Sequence, residues 1–297
     1  MTTRRTALAA GLLAPGVALA RPRRSVRDVD ARLKAALEDP ASRLEVRARL
    51  FGSAAVTTVH RVSHGHVWGW TPEEAQLRPL FSVINYAVAE WAPDPAGGYA
   101  TRSFDSAVYC RFATLEPLEA FDNPYTGARN RPVAFLLGPM TGRVAAGAMA
   151  TGGQAVARPQ DLPLQVQGGM LTWPISSSRL MKNPLDRAAF PASWGGEQLA
   201  FELFAAFTAD GAALLDRTAP QAVATSRYDE MTPWPYWMEM GTRPGRLVAH
   251  GSGVKLPSLE AMDPAVRKVL EADVPTMFDR TGWTTPRNDL TEFLRTR

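Results

Sequence analysis

Cysteine is scarce in this 297-residue chain, because Cys110 is the only one and no disulfide bond can form within the chain. Charge of one sign is not in large excess either, since 33 Lys and Arg residues stand against 29 Asp and Glu residues. With 45% hydrophobic residues, the composition excludes a disordered tail, a collagen-like repeat and a disulfide scaffold. The sequence therefore predicts a folded protein that is stabilised by its hydrophobic core.

Several catalytic motifs are also missing. The sequence contains no G-x-S-x-G elbow, no phosphate-binding P-loop and no G-x-G-x-x-G after a predicted strand. It contains no C-x-x-C pair and no H-E-x-x-H zinc motif. These absences argue against common serine hydrolases, nucleotide-dependent enzymes and common metalloproteases, and we predict no cofactor.

The N-terminus has the layout of a twin-arginine export signal. Arg4 and Arg5 precede an uncharged apolar segment that runs from Ala7 to Ala20, and Ala18-Leu19-Ala20 supplies the small residues of a cleavage site. The apolar segment is shorter than the roughly 20 residues that span a bilayer. We therefore predict a signal peptide at residues 1–20, export to the periplasm or the medium, the twin-arginine export machinery as a partner, and no stable membrane span.

The positive charge of the chain belongs partly to this signal. The formal net charge of +4 falls to +2 once Arg4 and Arg5 are removed. The remaining basic residues are scattered and lack the interleaved aromatic residues of an RNA-binding sheet. We predict no nucleic-acid partner.

The rest of the chain is predicted to begin with helices and to continue as strands. Residues 25–50 carry apolar residues at helical spacing, and Pro40 divides them into two short helices. Asp263 is predicted to cap a C-terminal helix, with a last helical turn at Leu290–Leu294. Between these ends, β-branched and aromatic segments alternate with turn sequences, except for a long loop at 145–164. The predicted strands are 56–70, 80–91, 99–104, 107–115, 132–137, 171–177 and 198–208, with a hairpin at 246–256.

Short strands separated by turns predict antiparallel neighbours. We expect a mainly β protein, either an antiparallel barrel or a strongly curved meander that resembles the calycins, with short helices at both ends. Residues 21–50 are then a helical N-terminal segment. Residues 51–297 form a single β-rich domain with C-terminal helices.

Three of the four histidines, His60, His64 and His66, lie in the first predicted strand, where they share one face. One interpretation makes His64 or His66 a general base. A second interpretation is a metal site on the His60/His64/His66 face, completed by His250 or by the carboxylate of Glu90. A third is that the histidines line a polar cavity or face water, and we predict no bound metal.

An aromatic segment at 234–241 is the second notable feature. Pro233 and Pro235 predict an extended backbone there, and core packing is the simplest interpretation of its large side chains. The functional interpretation is a wall of a pocket for a lipophilic or aromatic molecule, with Glu239 as a carboxylate of raised pKa. Arg179 could bind an anionic group or pair with Glu239.

These features predict an exported protein that binds a small lipophilic or aromatic molecule in a β-barrel pocket. It could be a cofactor-independent lyase, isomerase or hydrolase, a carrier without catalysis, or a metal-dependent enzyme on the histidine face. His66 and Glu239 on opposite sides of the sheet would favour the carrier. The candidate catalytic residues are His64, His66, Glu239 and Tyr109. The candidate ligand-binding residues are Trp68, Tyr86, Arg179, Trp234, Tyr236 and Trp237.

Four segments of the chain resemble domain-of-unknown-function family 1838. They are FGS at 51–53, GHVWG at 65–69, DNPYTG at 122–127 and WPYWMEMG at 234–241. The last segment is the most specific, and the resemblance covers nearly all of the chain after the predicted signal. It implies exported bacterial proteins, often with a twin-arginine signal, and no reaction or catalytic residue.

Overall fold

The computed structural model describes residues 25–145, 148–152 and 160–297. The predicted signal peptide, residues 1–20, lies outside the described residues. In the part of the chain that is described, no helix has the length and apolar character needed to cross a membrane.

Two helices precede the sheet. Helix α1 spans Val26–Glu38 and α2 spans Pro40–Phe51, so the chain divides at Pro40 as predicted. Asp39 accepts a hydrogen bond from the amide of Ser42 (2.8 Å) and so caps α2, while Pro40 occupies a first-turn position that needs no amide donor.

The remaining elements are mostly strands. The strands are β1 (Thr57–Trp70), β2 (Arg78–Pro93), β3 (Tyr99–Cys110), β4 (Phe121–Asp122), β5 (Arg129–Asn130), β6 (Phe135–Ala145), β7 (Ala148–Gly152), β8 (Gln160–Asp161), β9 (Gln165–Gln167), β10 (Met170–Lys182), β11 (Gln198–Asp210), β12 (Ala224–Thr232) and β13 (Arg246–Leu256). The helices that follow α2 are α3 (Gly211–Leu215), α4 (Pro264–Asp273) and α5 (Asp289–Arg295).

All strands except the β4–β5 hairpin form one antiparallel sheet. Its order is β7-β6-β3-β2-β1-β13-β12-β11-β10-β8, with β9 also paired to β10. The first and last long strands, β1 and β13, lie side by side in its middle. The fold-class prediction is therefore confirmed: the protein is mainly β, with a curled antiparallel sheet and short helices at both ends.

The sheet is strongly curved, so one of its faces is concave. The Nδ2 atom of Asn85 on β2 donates a hydrogen bond to the hydroxyl of Tyr228 on β12 over 2.9 Å, although β1 and β13 lie between their strands. Adjacent strands are about 4.8 Å apart, so such a contact requires the face that carries both side chains to bend inwards.

Apolar clusters occupy both ends of the concave face and part of the outer face. The Phe51 cluster, at one end, includes Leu33, Phe51, Trp91, Trp173 and Phe207. The Trp237 cluster, at the other end, includes Phe81, Phe121, Trp237, Met238 and Leu247. The Trp283 cluster lies on the outer face, where α4 and the chain after it cover β2 and β3; it includes Ile84, Phe104, Leu270, Met277 and Trp283.

Three strand predictions are wrong. The segments 99–104 and 107–115 form the single strand β3, which ends at Cys110, and residues 246–256 form the straight strand β13 instead of a hairpin. The predicted loop at 145–164 contains β7 and β8, and β12 was not predicted at all. The reason for β13 is steric: a Cβ atom on Gly251 would lie 2.5 Å from the Tyr228 ring, so this glycine makes room for a side chain and does not form a turn.

Candidate functional site

The middle of the concave face carries polar side chains. Ser63, Asn85 and Tyr228 form a hydrogen-bonded group in which Asn85 donates to Ser63 Oγ (3.1 Å) and to the Tyr228 hydroxyl. All three side chains are partly buried, and they lie between the Phe51 cluster and the Trp237 cluster. The interior of the half-barrel is therefore polar at its centre and apolar at its ends.

Glycines allow Tyr228 to lie flat across this face. Tyr228 on β12 pairs with Gly251 on β13, and Gly251 pairs with Gly65 on β1. A Cβ atom on Gly65 would lie 2.3 Å from the Tyr228 hydroxyl, which is far closer than atoms can approach. Burial and the charge of Glu230 raise the pKa of Tyr228 to about 12, so the phenol stays neutral at physiological pH.

Glu230 follows Tyr228 by two residues on β12 and therefore faces the same concave side. Its strand neighbours there are Leu203 on β11 and Ala249 on β13, both apolar. Within the described residues, the carboxyl group has no hydrogen-bond or ion-pair partner. Burial raises the pKa of Glu230 to about 7, so a partly buried carboxyl group is half-protonated near neutral pH.

An aromatic wall closes the concave face near Glu230. The ring of Trp237 lies 5.1 Å from that of Tyr109 and 5.7 Å from that of Phe81, measured between centroids. Burial raises the pKa of Tyr109, and the nearby carboxylates Asp289 and Glu230 act in the same direction. The Nε1–H group of Trp237 is fully buried. It makes no hydrogen bond of ordinary geometry in the described part of the chain, but it lies close enough to the Tyr109 hydroxyl to lower the pKa of Tyr109.

The backbone turn at 234–241 points Trp237 inwards. Pro235 holds an extended conformation, but Tyr236–Met238 then form one 3-10 turn, so the predicted extended backbone is wrong beyond Pro235. Glu239 ends the turn in the left-handed region (φ 53°), which reverses the chain. The amide of Asn123 fixes the turn by donating to the carbonyl of Met238 (2.7 Å).

Charged side chains lie at the opposite end of the concave face, beside the Phe51 cluster. Arg61 on β1 pairs in register with Lys255 on β13 and with Ala87 on β2, and Ala87 pairs with Asp105 on β3. Burial raises the pKa of Asp105 to about 6, while Arg61 opposes this shift. Burial lowers the pKa of Arg61 to about 10, so its guanidinium group remains charged at neutral pH.

The predicted histidine face lies on the other side of the sheet. His60, His64 and His66 share the outer face, as strand alternation predicts. His60 shares a hydrogen bond with the Tyr86 hydroxyl (2.8 Å), and the pKa of His60 is lowered by burial. His66 shares a hydrogen bond with the Ser82 hydroxyl (3.0 Å). Its ring is nearly perpendicular to the His64 ring, with 5.1 Å between the ring centroids.

The proposed additional metal ligands have other partners. His250 is the register neighbour of His66, but its Nδ1 atom lies 2.5 Å from a carboxylate oxygen of Asp229. Glu90 forms ion pairs with Arg102 and Arg280. No group of three or more His, Cys, Asp or Glu side chains in residues 25–145, 148–152 and 160–297 is arranged to hold a metal ion.

Glu239 and Arg179 are not paired with each other. Glu239 accepts hydrogen bonds from Arg297 (2.7 Å) and Asn130 (3.2 Å). Arg179 lies on the concave side, with its guanidinium carbon 5.4 Å from the centre of the Phe201 ring. Since Glu239 belongs to the turn that covers the concave face while His66 is on the outer face, the structure separates the predicted acid–base pair.

The other predicted ligand-binding residues are also divided between the faces. Trp68 is on the outer face, where its ring lies 6.0 Å from that of His66. Tyr86 is on the outer face as well, beneath Phe278. Trp234 donates to the carbonyl of Arg243 (3.3 Å), and Tyr236 donates to Asn183 (3.5 Å) within the Trp237 cluster. Of the predicted residues, Trp237, Tyr109 and Arg179 are the ones whose side chains reach the concave side.

Sequence reasoning missed Glu230, Tyr228 and Arg61. The first two lie on β12, whose sequence ATSRYDEMT is mostly polar and has no apolar alternation that would predict a half-buried strand. One signal was available: Gly65, Gly251 and Gly253 fall within segments that otherwise favour strands, and glycine inside a strand often marks the close approach of another group.

Comparisons with known proteins identify the family of this chain but assign no activity to it. A search of curated proteins found no match to this chain. A family model matches residues 58–293, which is most of the chain and includes the strands of the concave face apart from Thr57, the first residue of β1. The chain therefore belongs to the family described as protein of unknown function (DUF1838).

Proposed function

We propose that the protein binds a small lipophilic or aromatic molecule on the concave side of its sheet. One observation carries the proposal: within the described residues, the carboxyl group of Glu230 has no hydrogen-bond or ion-pair partner, and the buried N–H group of Trp237 makes no hydrogen bond of ordinary geometry. Glu230 lies beside Leu203 and Ala249, which belong to the two apolar clusters. The predicted export signal places this binding in the periplasm or the medium, and that location is part of the proposal.

Unpartnered polar groups are costly in a protein interior. A buried N–H group without an acceptor costs about 1–3 kcal/mol, so most such groups in folded proteins are hydrogen-bonded. A ligand with an acceptor atom near Trp237 would remove this cost, and its apolar body would lie against Tyr109 and Phe81. Pockets for small molecules have this composition, with mainly apolar walls and few polar groups.

Fluorescence titration tests the proposal. N-phenyl-1-naphthylamine, a neutral aromatic probe, should become brighter on binding to the wild-type protein and should quench tryptophan emission. Trp237→Phe keeps most of the ring volume and removes the N–H group, so we expect weaker binding of ligands that carry an acceptor. Trp70→Phe is the matched control, because Trp70 lies on the outer face and is 38% exposed. If the probe does not bind, or if Trp70→Phe has the larger effect, the proposal fails.

A second candidate function is acid–base catalysis on the bound molecule. The observation that favours it is the position of Glu230 on the concave side between the apolar residues Leu203 and Ala249. Burial there raises the pKa of Glu230 to about 7, and a general acid or base works best when its pKa is close to the working pH. Tyr109 would then act as a neutral hydrogen-bond donor on the same side of the sheet.

Glu230→Gln distinguishes this enzyme from a carrier. Molecules that co-purify with the protein should first be identified by mass spectrometry, and the wild-type protein should be incubated with them. If the protein is an enzyme, Glu230→Gln retains binding and loses turnover. If the wild-type protein leaves every bound molecule chemically unchanged, the carrier function is favoured.

A further inference from the structure

Arg61 is a charged residue on the concave side, and its guanidinium group lies against two aromatic rings. Its guanidinium carbon lies 5.4 Å from the centre of the Phe207 ring and 5.8 Å from that of Phe51. Within the described residues it forms no hydrogen bond or ion pair. A guanidinium group has five N–H donors in a fixed plane, which matches the two oxygens of a carboxylate.

Other arginines add positive charge at this end of the concave face. Arg47 also lies over the Phe51 ring, at 5.8 Å, and over the Trp173 ring, at 5.2 Å. Arg43 lies 5.4 Å from the centre of the Trp173 ring. These guanidinium groups make this end of the concave face more positive, and the exposed Arg43 contributes least because water screens its charge.

The charged neighbours of Arg61 do not occupy its donors. Lys255 donates to the backbone carbonyls of Arg49 and Gly52 (2.9 Å to the latter), so its amino group binds the C-terminal end of α2. Burial and the charge of Arg61 lower the pKa of Lys255 to about 6, so it carries little charge at neutral pH. Asp105 interacts with Arg61 through its charge but makes no ion-pair contact with it in the described part of the chain. In the described part of the chain, the donors of Arg61 are therefore available to an anion.

The two ends of the concave face differ in charge. Along β13, Lys255 beside Arg61 and Ala249 beside Glu230 are six residues apart, which corresponds to about 20 Å of strand. At the Trp237 end, the carboxyl group of Glu230 would repel an anion, and Arg179 already donates to the sulfur atom of Met181 beside the Phe201 ring. At the Phe51 end, Arg61 would attract an anion, although the nearby Asp105 offsets part of its charge. A bound molecule with one anionic group would thus place that group at Arg61 and its apolar body towards Trp237.

We propose that the ligand is a lipophilic carboxylic acid and that Arg61 binds its carboxylate. This inference rests on the proposed function, because it assigns the chemical class of the molecule that occupies the concave side. Charge-assisted hydrogen bonds to such a group contribute about 1.5–3 kcal/mol, so loss of Arg61 should weaken binding of an anion by about tenfold or more.

Two probes with the same aromatic core test the proposal. 1-Anilinonaphthalene-8-sulfonate carries an anionic group, and N-phenyl-1-naphthylamine does not. Arg61→Gln should weaken binding of the sulfonate at least about tenfold and change binding of the neutral probe less than about twofold. Arg61→Lys, which keeps the charge, should have an intermediate effect. Arg227→Gln is the matched control, since Arg227 is exposed on the outer face of β12.

A competition experiment on the wild-type protein does not depend on the folding of any variant. Dodecanoate should displace N-phenyl-1-naphthylamine at a lower concentration than dodecan-1-ol does, and 4-phenylbutyrate shows whether an aromatic acid competes better than an aliphatic one. If the alcohol competes as well as the acid, Arg61 does not select a carboxylate and the inference is overturned.

The outcomes separate this inference from the proposed function. If neither probe binds the wild-type protein, the proposed function fails. If the neutral probe binds and Arg61→Gln affects both probes equally, the concave side binds ligands but Arg61 has only a structural role. If Arg179→Gln weakens binding of the sulfonate and Arg61→Gln does not, the anion lies at the other end of the concave face and the inference is also overturned.

Discussion

Replacement of Glu230 by glutamine should change how the stability of the protein depends on pH. The pKa of Glu230 is raised from 4.5 to about 7 by burial. Between these values the folded protein holds a proton that the unfolded chain has lost, so the stability falls as pH rises. At about 1.4 kcal/mol per pKa unit, the loss approaches about 3 kcal/mol by pH 7.5 and is absent below pH 4.5.

Glutamine at this position resembles the protonated carboxyl group and does not titrate. The variant should therefore lose less stability than the wild type between pH 4.5 and 7.5. The difference in free energy of unfolding between the two proteins should grow by up to about 3 kcal/mol over this range. The stability of the variant itself still depends on pH. The raised pKa values of Asp105 and Asp289, about 6, lower the stability as pH rises towards 6, whereas the lowered pKa of Lys255, about 6, increases the stability as pH rises above 6. Because the wild type has the same three groups, they do not contribute to the difference between the two proteins.

Guanidinium unfolding, followed by tryptophan fluorescence at four pH values from 4.5 to 7.5, measures this difference. Glu116→Gln is the control, because the Glu116 side chain is 73% exposed and pairs with Arg111 at the surface. The reasoning is refuted if Glu230→Gln and the wild type lose stability in parallel across the range. Parallel slopes would mean that Glu230 titrates in the folded protein as it does in the unfolded chain.

Three further substitutions test contacts on the concave face and at helix α5. Gly65→Ala should destabilise the protein by about 1–3 kcal/mol in chemical denaturation, because the new methyl group would overlap the Tyr228 hydroxyl, and Tyr228→Phe in the same chain should recover part of the loss. Lys255→Met should cost about 2 kcal/mol and increase amide hydrogen exchange at the end of α2, because two carbonyls lose their donor; unchanged exchange would contradict this. Glu292→Gln should lower the melting temperature, because the 5%-exposed carboxylate holds Arg287 at 2.6 Å, whereas Glu271→Gln at a surface pair should change it little.

The sequence predicts the positions of helices and strands better than it predicts which strands pair and which side chains come into contact. The segment that became β1 is long, β-branched and free of proline, so its extent and the shared face of its histidines were predicted correctly. Sequence distance carries no information on the pairing of β1 with β13 or on the inward bend that brings Asn85 to Tyr228. Those contacts are set by packing across the whole sheet.

The candidate site was only partly predictable for the same reason. Trp237 was recognisable from its aromatic neighbours in sequence, and burial of that segment was expected. Glu230 resembles any surface glutamate in the sequence, and its raised pKa arises from apolar side chains on two other strands. His66 and Glu239 looked like partners because of their chemical types, but the sheet lies between them.

The contact of Tyr228 with Gly65 and Gly251 has an evolutionary consequence. The side chain of Tyr228 occupies the space that a Cβ atom on Gly65 or on Gly251 would need. The residues allowed at these three positions therefore depend on one another, although the positions lie on three strands. In relatives where a small residue replaces Tyr228, the main steric constraint on both glycines is removed, although a Cβ atom at position 65 would still lie 3.2 Å from the carbonyl oxygen of His250. An alignment of this family should therefore show correlated variation at these three positions, and it should link the shape of each concave face to a single aromatic residue.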